Sequence, residues 1–260
     1  MSFFEKLIGS LPKKEVGSKE SFEKSPQEEV LASREKESSN NLGGGCNETV
    51  LIKLRDDGSG IFKPRDGERP FLRSNIETGT YFKRERAAYL VDRFIEFDLV
   101  PPTVIREMDG KTGSLQEFIP DAMTYGGMGQ QEREAIEQSE SIKLFIFDYI
   151  IFNSDRHTYN LLVKDKKMHA IDNGLAFGDA YLCFNLEWPW NKPIPLEIID
   201  KLDKFLSSDK EQSILKDLLR ELLSPKEVDA CLARIKFIGK LIKKRQQIPL
   251  GTELKFFPKS

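Results

Sequence analysis

The chain has 260 residues, 39% of them hydrophobic and 32% charged, enough apolar material for one sizeable core or for two small lobes sharing a cleft. Forty Lys and Arg against 42 Asp and Glu leave a net charge near −2, which excludes a global positive field for nucleic acid or an anionic membrane. Three cysteines with no Cys-x-x-Cys pair and only two histidines argue against a zinc site, and the odd cysteine count without a signal-peptide pattern points to a reducing cytoplasm.

At the amino terminus, Phe3, Phe4, Leu7, Ile8 and Leu11 recur at helical spacing. They suit either a frayed end or weak peripheral contact of residues 3–11 with a membrane or partner. Lys13 to Asn41 mixes Lys, Glu and Ser with few large apolar residues and reads as a disordered tether, so residues 1–41 are expected to form a tail. Order is expected from Leu42 and the turn-forming Gly43-Gly44-Gly45. Thr49–Leu54 and Gly60–Lys63, on either side of Asp56-Asp57-Gly58, read as a β-hairpin. A helix is expected over Lys83–Phe97, with Pro101-Pro102 preventing its continuation. Thr103–Arg106 and Ser114–Ile119 then form a second strand pair across Asp109-Gly110. These elements make a small α+β lobe over residues 42–120.

From about Asp121 helices predominate, the first over roughly residues 131–153. Its run Ser141–Asn153 is very apolar but carries Lys143 and Asp148 and is too short for a bilayer, so it reads as a buried helix. Further helices are expected between residues 195 and 245, one opened by Ser224-Pro225-Lys226-Glu227 with Ser as cap, Pro at the first helical position and Glu three residues after the cap. The expected fold class is α+β: a β-rich amino-terminal lobe and a mainly helical lobe over residues 121–260.

The chemistry concentrates in Asn153-Ser-Asp-Arg-His-Thr-Tyr-Asn160 and Asp172-Asn-Gly174. Asp155 and Asn160 have the D-x-x-x-x-N spacing with which kinase catalytic loops place a hydroxyl-orienting Asp and a Mg²⁺-ligating Asn. Leu161–Val163 and Met168–Ile171 flank a charged turn, and pairing them as a hairpin would bring Asn160 beside Asp172. Two oxygen donors there suit Mg²⁺, which takes one or two protein ligands besides waters and phosphates. Gly174 would let the backbone turn after Asp172. The alternative is that these are ordinary turn and cap residues. Lys63 at a strand end and Glu85 early in the next helix match the phosphate-binding lysine and its carboxylate partner. Gly43, Gly44 and Gly45 could approach phosphates through backbone N–H groups, and the backbone of Gln116, Glu117 and Phe118 could receive adenine.

At these residues the chain resembles the phosphatidylinositol 3/4-kinase superfamily, most of all its type II phosphatidylinositol 4-kinase branch. The matching pieces are Gly60–Pro64, Glu85–Arg93, Leu99–Thr103, Gly113–Phe118, Asp148–Ile151 with Asp155-Arg156, and Ile171–Phe177. The resemblance implies a two-lobed protein-kinase-like fold that uses ATP with Mg²⁺ or Mn²⁺. It implies that Lys63 binds ATP phosphates, Glu85 orients Lys63, Asp155 is the catalytic aspartate, and Asn160 and Asp172 hold the metal. Asp155-Arg156-His157 also looks like the catalytic loop of actin-fragmin kinase and HipA-like kinases. Arg156 is expected to balance charge on the transferred group, and His157 either to stabilise developing charge, to share proton transfer or to order the loop. The cysteine-rich segment typical of type II lipid kinases is missing, since residues 64–84 contain no cysteine. A protein Ser/Thr hydroxyl is therefore the favoured acceptor, with a phosphoinositide headgroup as the alternative and a pseudokinase scaffold as a third reading.

Overall fold

A computed structural model describes residues 22–43, 46–56, 58–70, 72, 76–153, 155–178, 191–249, 253 and 254. The apolar stripe at residues 3–11 lies outside them. The first element is a helix, α1, over Pro26–Ser33. It is followed by strands β1 (Lys36–Asn41), β2 (Val50–Leu54) and β3 (Gly58–Pro64), helix α2 (Tyr81–Ile95), and strands β4 (Thr103–Met108) and β5 (Lys111–Glu117). The strands form one antiparallel five-stranded sheet in the order β1-β2-β3-β5-β4. Alternating residues of β2 to β5 bury Ile52, Leu54, Phe62, Val104, Met108 and Leu115, and Leu31 of α1 closes this small core.

Residues 26–41 are thus a helix and an edge strand where a disordered tether was expected. Two physical reasons account for the difference. Ser25 and Glu28 form a reciprocal capping box with Pro26 at the helix start. The Glu28 carboxylate is also fully buried against Arg86, Arg93 and Tyr89 of α2, a source of order that a count of apolar residues does not register.

The helical region begins after Pro120 with strand β6 (Met123–Thr124), a short helix α3 (Gln130–Glu134) and the long apolar helix α4 (Gln138–Ile151). The expected helix over residues 131–153 is therefore two helices. Arg133 donates to the carbonyls of Tyr125 and Gly126 and stacks on the Tyr125 ring, which fixes α3 to the preceding 3₁₀ turn instead of to α4. Strands β7 (Leu161–Lys164) and β8 (Lys167–Ala170) make the expected hairpin, with β6 added at its edge. Helices α5 (Leu196–Leu206), α6 (Asp209–Arg220) and α7 (Pro225–Arg245) complete the lobe, and α7 opens on the Ser224 and Glu227 capping box. One large core joins α4, α5, α6, α7 and the hairpin to the inner face of α2, through Ala87, Ala88, Leu90, Val91 and Ile95. Helix α2 therefore belongs to both lobes, and it carries Glu85.

Candidate active site

Strand β3 points alternate residues to opposite faces, so while Phe62 enters the core Lys63 faces the cleft between the lobes. Ser114 lies opposite Lys63, and Gly113, opposite Pro64, has to be glycine because an added Cβ would lie 2.3 Å from the Lys63 carbonyl. Lys63 Nζ donates to Glu85 Oε1 at 2.6 Å and to Asp172 Oδ1 at 2.9 Å. Burial alone would favour the neutral amine, but Asp172 and Glu85 outweigh it and hold the ammonium above the ordinary lysine range. The Lys63 charge in turn keeps the Asp172 carboxyl below the usual carboxylate range, against the opposing effect of burial. Glu85 is fixed at its other oxygen, where Oε2 accepts from the Asn173 N–H at 2.9 Å. The helix that carries it is capped from a distance: Glu68 Oε1 accepts from the Phe82 N–H at 3.0 Å, while Thr80 supplies no side-chain cap.

The hairpin brings the second half of the site together. Leu161 pairs with Ala170, and the Ile171 N–H donates to the Asn160 carbonyl at 3.1 Å, so Asn160 and Asp172 flank the open end of one ladder. Both line the cleft, as do Asp155 and His157. Asn160 is buried and its Nδ2 donates to the Asp155 carbonyl at 3.2 Å, which leaves Oδ1 as its acceptor. The positive φ of 56° after the hairpin falls on Asp172 itself. Gly174, expected to make that turn, instead gives room to Tyr81, whose Cβ would lie 3.0 Å from an added methyl. A left-handed, non-glycine Asp ion-paired to Lys63 is a strained residue held by its surroundings.

Arg156, Gly43 and residues 116–118 are placed differently from expectation. Arg156 is 1% exposed and turned away from the cleft: Nε and Nη2 grip the Asp148 carboxylate, Nη1 donates to the Asn160 and Ile171 carbonyls, and Nη2 also donates to Asn173 Oδ1. It cannot balance charge on a transferred group and instead ties α4 to both strand ends of the hairpin. His157 does line the cleft, with Nδ1 accepting from the Tyr159 N–H at 3.2 Å, so the neutral ring carries its proton on Nε2 and donates there. At the crossing between lobes, the Glu117 and Phe118 N–H groups already donate to Pro102 and Ser59 carbonyls, and the Gln116 amide donates to Thr103 Oγ1. Residues 116–118 are not among those that line this 540 Å³ cleft. Gly44 and Gly45 lie outside the described residues. Gly43 is not among the residues that line the cleft; of the described residues between β1 and β2, Cys46–Thr49 do, tied down where the Glu48 N–H donates to the Gly67 carbonyl. The sequence carries no motif for these four residues; they follow β1, a polar edge strand.

The cleft, about 540 Å³, thus gathers Lys63, Glu85, Asp155, Asn160 and Asp172 on elements from both lobes. A family model described as phosphatidylinositol 3- and 4-kinase matches residues 75–227, from before α2 to the start of α7. The chain belongs to the phosphatidylinositol 3- and 4-kinase family. Among curated relatives, Protein Rv2133c of Mycobacterium tuberculosis is 27% identical over 177 residues, 54% of this chain and 62% of the relative. Phosphatidylinositol 4-kinase gamma 1 of Arabidopsis thaliana is 29% identical over 191 residues, 59% of this chain and 32% of the relative. The chain spans less than two thirds of the length of the curated relatives it matches. A solved structure of the Golgi casein kinase with Mn/ADP bound shares the fold at a TM-score of 0.55 and 17% identity, over 85% of this chain and 78% of that one. What the family and the fold establish for this chain is a two-lobed, kinase-type phosphotransferase domain.

Proposed function

We propose that this chain transfers the γ-phosphoryl group of ATP, with Mg²⁺ or Mn²⁺, to a hydroxyl group, and that the acceptor is a protein Ser or Thr. The observation that carries the reading is Lys63 held between Glu85 and Asp172 in a cleft bordered by Asp155 and Asn160. Among the described residues no group of three or more His, Cys, Asp or Glu could hold a metal by itself. The donors at the hairpin end fit a cation that completes its shell with phosphates and water: Asp172 is still 47% exposed after binding Lys63, and Asn160 offers Oδ1. Bound there, ATP and its metal would supply the electrophilic phosphorus and screen its oxygens. Lys63 orients the phosphates, Glu85 holds Lys63 in place, Asp155 orients the acceptor hydroxyl and takes its proton, and His157 donates from Nε2 toward developing charge. Residues 42–120 and 121–260 act as the two lobes, the first extended back to Phe22.

A protein acceptor is favoured by the net charge near −2, which offers an anionic bilayer no long-range attraction. No described helix is long and apolar enough to cross a membrane, and the proposed setting is the cytoplasm with at most weak peripheral membrane contact. A phosphatidylinositol headgroup is the second reading, favoured by the plant relatives named phosphatidylinositol 4-kinase gamma. The test is labelled-ATP transfer by the purified full chain to its own Ser and Thr residues, to mixed protein acceptors and to phosphatidylinositol vesicles. Protein labelling that needs Asp155 is expected. Vesicle labelling alone overturns the acceptor assignment, and no transfer to any class overturns the activity.

A further inference from the structure

Arg84, Glu85 and Arg86 are consecutive on α2, so their side chains leave the axis roughly 100° apart and fan in three directions. Glu85 enters the cleft. Arg84, on one side, donates to the Ala176 carbonyl at 2.7 Å and to Glu227 of α7 at 2.6 Å. Arg86, on the other side, donates to Glu28 of α1 at 2.6 Å and to the Thr103 carbonyl. Both acidic partners are the third helical residue of a Ser-Pro-x-Glu capping box, Ser25–Glu28 and Ser224–Glu227, so each carboxylate is itself fixed by a helix start. The two arginines therefore define the roll of α2 about its axis, and that roll decides whether Glu85 meets Lys63. Of the two anchors Glu28 is the more enclosed: it has no exposed surface and also accepts from Tyr89, Arg93 and the Ser25 N–H.

We propose that Glu28 is a positioning residue for phosphoryl transfer: through Arg86 it fixes the roll of α2 and so seats Glu85 against Lys63. This rests on the reading in which Lys63 and Glu85 orient the ATP phosphates. Glu28 makes the segment before β1 part of the reacting apparatus although it touches neither nucleotide nor acceptor. Its carboxylate suits the task because an ionised acceptor bound by two guanidinium groups is directional as well as strong.

The test is a double-mutant cycle on the full chain, pairing Glu28→Gln with Glu85→Gln and using Glu29→Gln, an exposed neighbour on α1, as the control. ATP consumption with Mg²⁺, Mg·ATP affinity by titration and the melting temperature are measured for each. Glu28→Gln is expected to lower kcat about tenfold or more, as misplacement of a positioning element does, with Glu29→Gln unchanged. In the Glu85→Gln background it should add no further loss in kcat or in Mg·ATP affinity, the signature of two residues acting through one another. Affinity keeps the cycle readable if Glu85→Gln has no measurable turnover. A Glu28→Gln variant that only melts earlier overturns the proposal, as does a loss that multiplies independently onto Glu85→Gln. Normal turnover in Glu85→Gln alone would instead sink the Lys63 and Glu85 reading, and the positioning role with it. If Glu28→Gln does not fold, Arg86→Lys, which keeps the charge but not the planar fork, replaces it; failure of both to fold reduces the pair to a structural anchor and ends the proposal.

Discussion

Asp172 and Arg156 sit on the same hairpin end yet do opposite kinds of work. Asp172 keeps an oxygen toward the cleft and takes a strained left-handed backbone, while Arg156 spends every donor on Asp148 and on backbone and carboxamide acceptors. Asp172→Ala should therefore lose about a hundredfold or more of turnover, the range seen when a preorganised electrostatic group is removed, with the fold intact. Arg156→Ala should do the reverse in origin: it leaves the Asp148 carboxylate buried and unpaired, a loss of about 3–5 kcal/mol in stability. Urea unfolding beside labelled-ATP turnover separates the two; a well-folded Arg156→Ala with lost turnover would return Arg156 to the chemistry. That Lys63, Glu85, Asp155, Asn160 and Asp172 border one cleft was legible because the order and spacing of strand, helix and hairpin are written along the chain. The place of Arg156 was not read, although a signal existed. Asp148 is a lone carboxylate inside the apolar run of α4, and a buried charge requires a partner.

Helix α1 shows why an element can be missed when its sequence signal is in plain view. Ser25-Pro26-Gln27-Glu28 repeats the pattern by which Ser224-Pro225-Lys226-Glu227 was recognised as a helix start, but the surrounding mixture of Lys, Glu and Ser pointed to disorder. Composition measures what a segment can bury on its own. It does not measure the ion pairs another element holds ready for it, here Arg86 and Arg93 of α2. The first strand was lost with the helix, since β1 is a polar edge strand with almost every residue exposed. Two truncations test the element. A chain starting at Phe22 keeps every contact described above, including the Phe22 ring stacked on Phe94. A chain starting at Arg34 removes Leu31 and Glu28, and should lose about 2 kcal/mol for the apolar side chain and more for the two arginines left unpaired. The second should melt well below the first; equal melting temperatures would make α1 an ornament on the sheet.

At the scale of the whole molecule, stability as a function of pH reports the groups whose charge differs most between the folded and unfolded chain. Glu28 follows the ordinary pattern of a paired carboxylate. Burial pushes the Glu28 carboxyl up, but hydrogen bonds from the Ser25 N–H and Arg86 and the charges of Arg86 and Arg93 outweigh it, so stability is gained above its usual range and lost in acid. Asp92, on the C-terminal half of α2, has the opposite sign. Burial raises its pKa to about 7, the Val100 and Leu99 N–H bonds pull the other way, nearby Asp98 adds to the rise, and Lys143 opposes it. Its Oδ2 accepts both N–H groups at 2.9 Å, and among the described residues Oδ1 has no partner, the oxygen on which a proton would sit. A carboxyl with a raised folded pKa contributes stability in full below its unfolded value near 4. That contribution declines as the unfolded chain ionises and is gone above about pH 7. Asp92 should therefore make the chain easier to unfold between pH 5 and pH 7, against the opposite contribution of His169, whose pKa burial lowers. Asp92→Asn keeps an oxygen for the Leu99 and Val100 N–H groups and cannot ionise, so the wild-type urea midpoint should fall relative to that of the variant across the interval and lie below it at pH 8. Parallel midpoints for the two proteins at pH 5, 6, 7 and 8 would show that Asp92 is already ionised in the folded molecule and that the unpaired oxygen is tolerated without a proton.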